Sequence, residues 1–117
     1  MHGFTRWRGK GCQVQIALFT CMALSVASST LHAEAKVHTV VIEAMRYAPE
    51  VIEVNVGDTV IWKNQDPFPH TATAEDRSFD SGEIASNGTG KFVASRKGIF
   101  PYVCTLHPTM KAKLLVR

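Results

Sequence analysis

Three side chains with an affinity for soft metals fall within seven residues near the C-terminus, Cys104-Thr105-Leu106-His107-Pro108-Thr109-Met110. Two residues separate each from the next. They can face one point only if a single tight loop turns them all inward. Pro108 stiffens such a loop by fixing its own φ. The loop also needs a rigid support. Just upstream, Phe100, Tyr102 and Cys104 alternate with Pro101 and Val103, so a strand would put those three on one face. That face is expected to point into a core and to deliver Cys104 from an ordered strand end. Pro101 lacks a ladder donor, which predicts an edge position or a bulge. Far upstream, His70 follows Pro69 and closes the site across the fold. One thiolate, two imidazoles and one thioether form a soft, mixed donor set. Thiolate and thioether favour Cu(I), and imidazole serves both oxidation states. Two His and a Cys with a weak axial Met is the blue-copper electron-transfer arrangement.

The N-terminal third reads as a leader, not as part of the fold. Arg6, Arg8 and Lys10 precede a mostly apolar stretch from Val14 to Ala27, followed by small residues and Ala33-Glu34-Ala35. This is the secretory pattern. The apolar run is shorter than the ~20 residues a membrane span needs. Cleavage is expected after Ala35, with Ala33 as the alternative. Thr20 before Cys21 argues against a lipoprotein site. Removing residues 1–35 takes Cys12 and Cys21 away and leaves Cys104 alone in an oxidising compartment. A single thiol there cannot form an internal disulfide, and metal ligation gives it a reason to be present. The whole chain carries a net +3, but residues 36–117 hold ten Lys/Arg against nine Asp/Glu. That near balance, with no basic-aromatic stripe, gives no sign of nucleic-acid binding. Residues 36–117 number 82, enough for one small domain whose core a bound metal would support.

Short strands separated by turns fill this domain. They are expected at Val37–Ile42, Val51–Val56, Thr59–Lys63, His70–Ala74, Lys91–Ala94, Ile99–Cys104 and Lys111–Val116, with Gly57-Asp58 and Lys97-Gly98 as turns. Met45 to Pro49, Asn64 to Pro69 and Glu75 to Gly90 read as loops. The fold class is all-β, a sandwich of about seven or eight short strands. His38 has no partner at ligand spacing and reads as a surface residue. Met45, Trp62 and Phe100 read as packing groups. Glu75, Asp76, Asp80 and Glu83 read as a solvated loop face that could also guide a basic partner.

The segments Met45-Arg46-Tyr47-Ala48-Pro49, Val54-Asn55-Val56-Gly57-Asp58-Thr59-Val60-Ile61-Trp62-Lys63-Asn64, Pro69-His70-Thr71 and Gly98 to Cys104, with the ligand loop, resemble the cupredoxins. These are the small blue copper proteins, and the likeness is to the plastocyanin/amicyanin-like group. The short spacing of the loop is similar to amicyanin. The resemblance implies a Greek-key sandwich, one type 1 copper held by His70, Cys104, His107 and Met110, and electron transfer in the periplasm through His107. It also implies a monomer that meets redox donor and acceptor proteins transiently, without nucleic acid or stable membrane association. Two positions depart from amicyanin: Thr71 stands where it has Asn, and Leu106 where it has Pro. Through its hydroxyl, Thr71 is expected to make a weaker form of the tie between ligand loops that the Asn makes.

Other functions fit less well. A copper-delivery protein, the main alternative, would favour exposed, adjustable ligands, and no Met-rich tract is present. An enzyme would need an open coordination position or an acid-base pair. A dinuclear copper centre would need a second Cys in the loop. A structural zinc site rarely uses a thioether.

Overall fold

A computed structural model describes Gly3, Gly9, Gly11 and residues 25–117. Most of the expected leader, with its basic residues, Cys12 and Cys21, lies outside the described residues. The chain divides into two units, Met1–Leu31 and His32–Arg117, and the fold below belongs to the second. Among the described residues, no helix is long and apolar enough to cross a membrane.

Eight strands form two four-stranded sheets: β1 (Val37–Glu43), β2 (Arg46–Ala48), β3 (Val51–Val54), β4 (Thr59–Asn64), β5 (Thr73–Ala74), β6 (Thr89–Val93), β7 (Gly98–Val103) and β8 (Lys111–Val116). One sheet has the order β2-β1-β4-β6 and the other β3-β8-β7-β5. The β1–β4 and β3–β8 pairs are parallel, the rest antiparallel. The chain crosses repeatedly between sheets, as a Greek-key sandwich does.

The strands form where β-branched and aromatic residues alternate with polar ones, and the alternation decides which face is buried. Ile52 and Val54 of β3, Val60 and Trp62 of β4, Phe100 and Tyr102 of β7, and Leu114 and Val116 of β8 all enter the core. Each such side chain contributes roughly 1.5–3 kcal/mol when fully buried. Trp62 is fully buried, with Tyr102 edge-on and Phe79 stacked, both at 5.6 Å between ring centroids. Its indole N–H donates to the Tyr102 hydroxyl at 3.2 Å, so the one polar atom of the indole is satisfied inside the core.

Four expectations need correction. Residues 46–48 are a strand, not a loop, because β1 and β2 are joined by a two-residue turn. Ala44 and Met45 occupy that turn with φ of 51° and 59°. Met45 is therefore exposed at the turn tip, not in the core. His70 lies outside β5 and is held by an isolated bridge to buried Ile84, so the segment after Glu75 is partly ordered against the site. Strand β7 is interior to its sheet, not at an edge. Pro101 is tolerated there because β5 ends at Ala74. Its carbonyl accepts from Glu75 N–H at 2.9 Å, and its missing donor faces the side where the ladder has stopped.

Candidate metal centre

Strands β4 and β7 run toward the same end of the sandwich, and the donors gather where they finish. Cys104 follows β7, with its side chain on the inward face shared by Phe100 and Tyr102, and all three are buried. The loop then folds back on itself. His107 N–H donates to the Cys104 carbonyl at 3.3 Å, Met110 N–H to the His107 carbonyl at 2.9 Å, and Cys104 N–H to the Met110 carbonyl at 3.2 Å. Each spacing of two residues thus closes one turn. The loop returns Met110, only 3% exposed, to the start of β8.

His70 is brought in from the β4–β5 connection, where its backbone N–H and carbonyl both pair with Ile84. Its Nδ1 lies 3.1 Å from Nδ1 of His107 and 3.7 Å from Cys104 Sγ, and His107 Nδ1 is 3.6 Å from the same sulfur. The three donor atoms lie within 4.8 Å of one another. This convergence of a buried thiol with two imidazole nitrogens fits copper, since the same set satisfies its soft and borderline preferences together.

The other nitrogen of His70 explains its orientation. Nε2 is 2.8 Å from the Asp66 carboxylate, so the proton sits on Nε2 and the Nδ1 lone pair faces the cluster. Asp66 also accepts from Ala44 N–H at 2.7 Å and Met45 N–H at 3.0 Å. Burial pushes the Asp66 carboxyl up. The bonds from Met45, His70 and Ala44 outweigh burial and hold it below the ordinary carboxylate value. The same three bonds pin the β1–β2 turn to His70. Asn64 fixes Asp66 in turn: its side-chain oxygen accepts from Asp66 N–H, while its amide donates to the carbonyls of Phe68 and Ile84.

Thr71 makes the expected tie. Its Oγ1 accepts from Thr105 N–H at 2.9 Å, and its own backbone N–H donates to Cys104 Sγ at 3.3 Å. The Tyr47 hydroxyl donates to the Thr71 carbonyl from within the core, and burial pushes its pKa well above the ordinary phenol value. Around the rim, Phe68 and Leu106 are about half exposed, Pro67 and Pro108 are exposed, and His107 is partly exposed. His70 is fully buried.

The sequence assigns no site role to Asp66, Asn64 or Tyr47, although Asn64 and Tyr47 lie in segments that carry the family likeness. A faint signal existed for Asp66, which lies four residues before His70, but only the turn from β1 shows what its second oxygen does. His38, Trp62 and Phe100 contribute no donor to the centre.

A family model for the cupredoxin-like domain matches residues 15–116. Amicyanin of Paracoccus versutus is 28% identical over 96 residues, covering 78% of this chain and 71% of that protein. Amicyanin-alpha of Methylorubrum extorquens is 26% identical over 80 residues, covering 64% and 67%. Among solved structures, the Cu(I) form of an amicyanin mutant superposes with a TM-score of 0.64 at 27% identity, over 74% of this chain and 87% of that one. A Cu-containing nitrite reductase from Thermus scotoductus also superposes, with a TM-score of 0.64 at 25% identity, but over only 23% of its own length. The chain belongs to the cupredoxin family, as an amicyanin-like blue copper protein of electron transfer with a single type 1 copper.

Proposed function

We propose that this protein carries single electrons between redox partner proteins in the periplasm, with His70, Cys104, His107 and Met110 as the copper ligands. Copper supplies the one-electron Cu(II)/Cu(I) couple. The domain that does this is residues 36–117, released by cleavage of the leader 1–35. The reading is carried by the convergence of two imidazole nitrogens on the Cys104 sulfur at 3.6–3.7 Å.

The supports around that point suit a carrier better than an enzyme or a delivery protein. Asp66 holds His70 in one tautomer, Thr71 donates to the sulfur, and the loop's own hydrogen bonds hold His107 and Met110. Fixed ligands lower the reorganisation that a change of charge demands. Delivery calls for ligands that let go, and a fully buried, carboxylate-pinned His70 resists that. Four protein donors leave no position for a substrate, which separates the chain from the larger reductase it partly resembles. The apolar rim of Phe68, Leu106, Pro67 and Pro108 around partly exposed His107 desolvates cheaply, as a transient contact requires. The protein works as a monomer.

The deciding experiment is a visible spectrum of the purified, copper-loaded protein. The oxidised form is expected to be intensely blue and to bleach reversibly on reduction. Cys104→Ser removes the band, because a hydroxyl is neither soft nor easily ionised. A strong visible band in that variant overturns the ligand assignment.

A further inference from the structure

We infer that Asp80, an exposed carboxylate outside the ligand set, is a positioning residue for electron transfer: it terminates a one-way chain of hydroxyls that orders the ligand loop and lowers the copper potential. The inference rests on the copper reading above. Its geometry is the run Thr105, Thr71, Thr73, Asp80. Thr71 Oγ1 lies 3.2 Å from Thr105 Oγ1 and 3.0 Å from Thr73 Oγ1, and the Thr73 hydroxyl donates to Asp80 at 3.0 Å. Gly82 N–H donates to the same carboxylate oxygen at 2.8 Å and fixes its position.

Proton counting gives the chain a direction. A hydroxyl has one proton and two lone pairs, and an ionised carboxylate only accepts. Thr73 spends its proton on Asp80, so toward Thr71 it can only accept. Thr71 therefore donates to Thr73, and its two lone pairs receive Thr105 N–H and the Thr105 hydroxyl. Every hydroxyl proton points away from the ligand loop toward Asp80. The oxygen lone pairs point back toward Thr105, the residue next to Cys104. Thr71 and Thr73 are 6% and 4% exposed, so little water competes, and hydrogen bonds in series polarise one another.

The electrostatic consequence has a definite sign. Negative charge at the end of the chain, relayed by oriented oxygens beside Cys104, favours the more positive oxidised centre. Asp80 thus draws the potential down through Thr73 and Thr71. The chain depends on Thr71 having a hydroxyl at this position, and the proposal therefore concerns what Thr does there in place of Asn.

The test combines variants with two readouts. Asp80→Asn keeps the shape but removes the charge and offers protons of its own. It is expected to raise the potential by about threefold in the Cu(I)/Cu(II) ratio, the scale of one modest hydrogen bond, or about 28 mV at 59 mV per tenfold. In a Thr71→Val background the same change is expected to have little effect, and Asp80→Glu restores part of the wild-type value. The second readout needs no metal: in the copper-free protein, Asp80→Asn speeds hydrogen exchange at Thr105 N–H several-fold and leaves the β1–β4 amides unchanged. An equal potential shift with and without the Thr71 hydroxyl, or one abolished by 1 M salt, makes Asp80 an ordinary surface charge and overturns the proposal. Unchanged Thr105 exchange overturns it as well. Failure of the blue spectrum would sink the electron-transfer reading instead, while the exchange result would still decide whether Asp80 orders the loop.

Discussion

The two ends of the sandwich carry the same device and use it differently. At the end where β1 and β4 begin, Asp58 accepts from Lys36 N–H and Asn55 N–H, each at 2.9 Å, and lies 2.8 Å from Nε2 of His38. At the end where they finish, Asp66 accepts from Ala44 N–H and Met45 N–H and lies 2.8 Å from Nε2 of His70. Each aspartate gathers two backbone donors and one imidazole, and each joins segments about twenty residues apart. The difference lies in what the other side of the ring meets. His38 is a quarter exposed and has no metal-binding cluster around it among the described residues. His70 is fully buried, with Nδ1 aimed at a thiol and a second imidazole. A carboxylate–histidine pair is a structural clasp by default. It becomes part of a metal site only when tertiary contacts bring further donors to the free nitrogen.

That contrast breaks most sharply at Asp66. Asp66→Ala leaves the buried His70 N–H and two turn amides without their acceptor, a loss on the order of 2–3 kcal/mol. It also frees the ring, which is expected to cost about 10–100-fold in copper affinity. Titration of the copper-free variant with a competing chelator measures this. Wild-type affinity would mean that the pair at this end is only a clasp too.

Asp58→Ala is the matching change at the other end. The denaturant midpoint is expected to fall while the blue band and the copper affinity stay as they were. A shifted visible spectrum would show the two ends to be coupled. The acid response sharpens the point. The N–H groups of Lys36 and Asn55, then His38, hold the Asp58 carboxyl down at about 2 against an ordinary 3.8. A depressed acid stabilises the fold above its ordinary value, and that contribution fades as pH falls from 3.8 toward about 2. Midpoints measured across this window should therefore drop in the parent and drop less in Asp58→Asn.

The smallest expected effect belongs to the rim. Leu106→Lys adds like-charge repulsion where two copies would exchange electrons at the His107 end. Self-exchange is expected to slow several-fold at low ionic strength and to recover in salt, with the spectrum unchanged. An unaffected rate would place the electron's exit elsewhere and remove the functional meaning of His107's partial exposure.

Much of this was legible in residues alone. The period of two from Phe100 to Cys104 foretold a buried thiol at a strand end, and the two spacings of two foretold a single tight loop. Strand β8 lies where its pattern put it, from Lys111 to Val116. Met45 misled because its apolar side chain fits a core, whereas the positive φ at Ala44 and Met45 carries no glycine signal and is sustained by a carboxylate from another loop. Pro101 misled because a proline marks a missing hydrogen bond, not the place where the neighbouring strand ends. Glu75, Asp76, Asp80 and Glu83 read as a solvated loop face and are all exposed. The sequence did not show their partners: Asp76 pairs with Arg96 at 3.6 Å, and Asp80 receives a buried hydroxyl.

The sequence by itself determined the chemistry. Donor identity is a property of side chains, and the loop spacing and strand alternation are local, so Cys104, His107 and Met110 could be grouped without any fold. Only the tertiary structure decided the electrostatics of the site. Which His70 nitrogen keeps its proton, what holds the Cys104 sulfur, and where the Thr71 hydroxyl points all depend on partners 2 to 37 residues away in sequence. Hydrogen bonds act over about 3 Å, and no sequence pattern shows which distant groups the packing of two sheets brings that close.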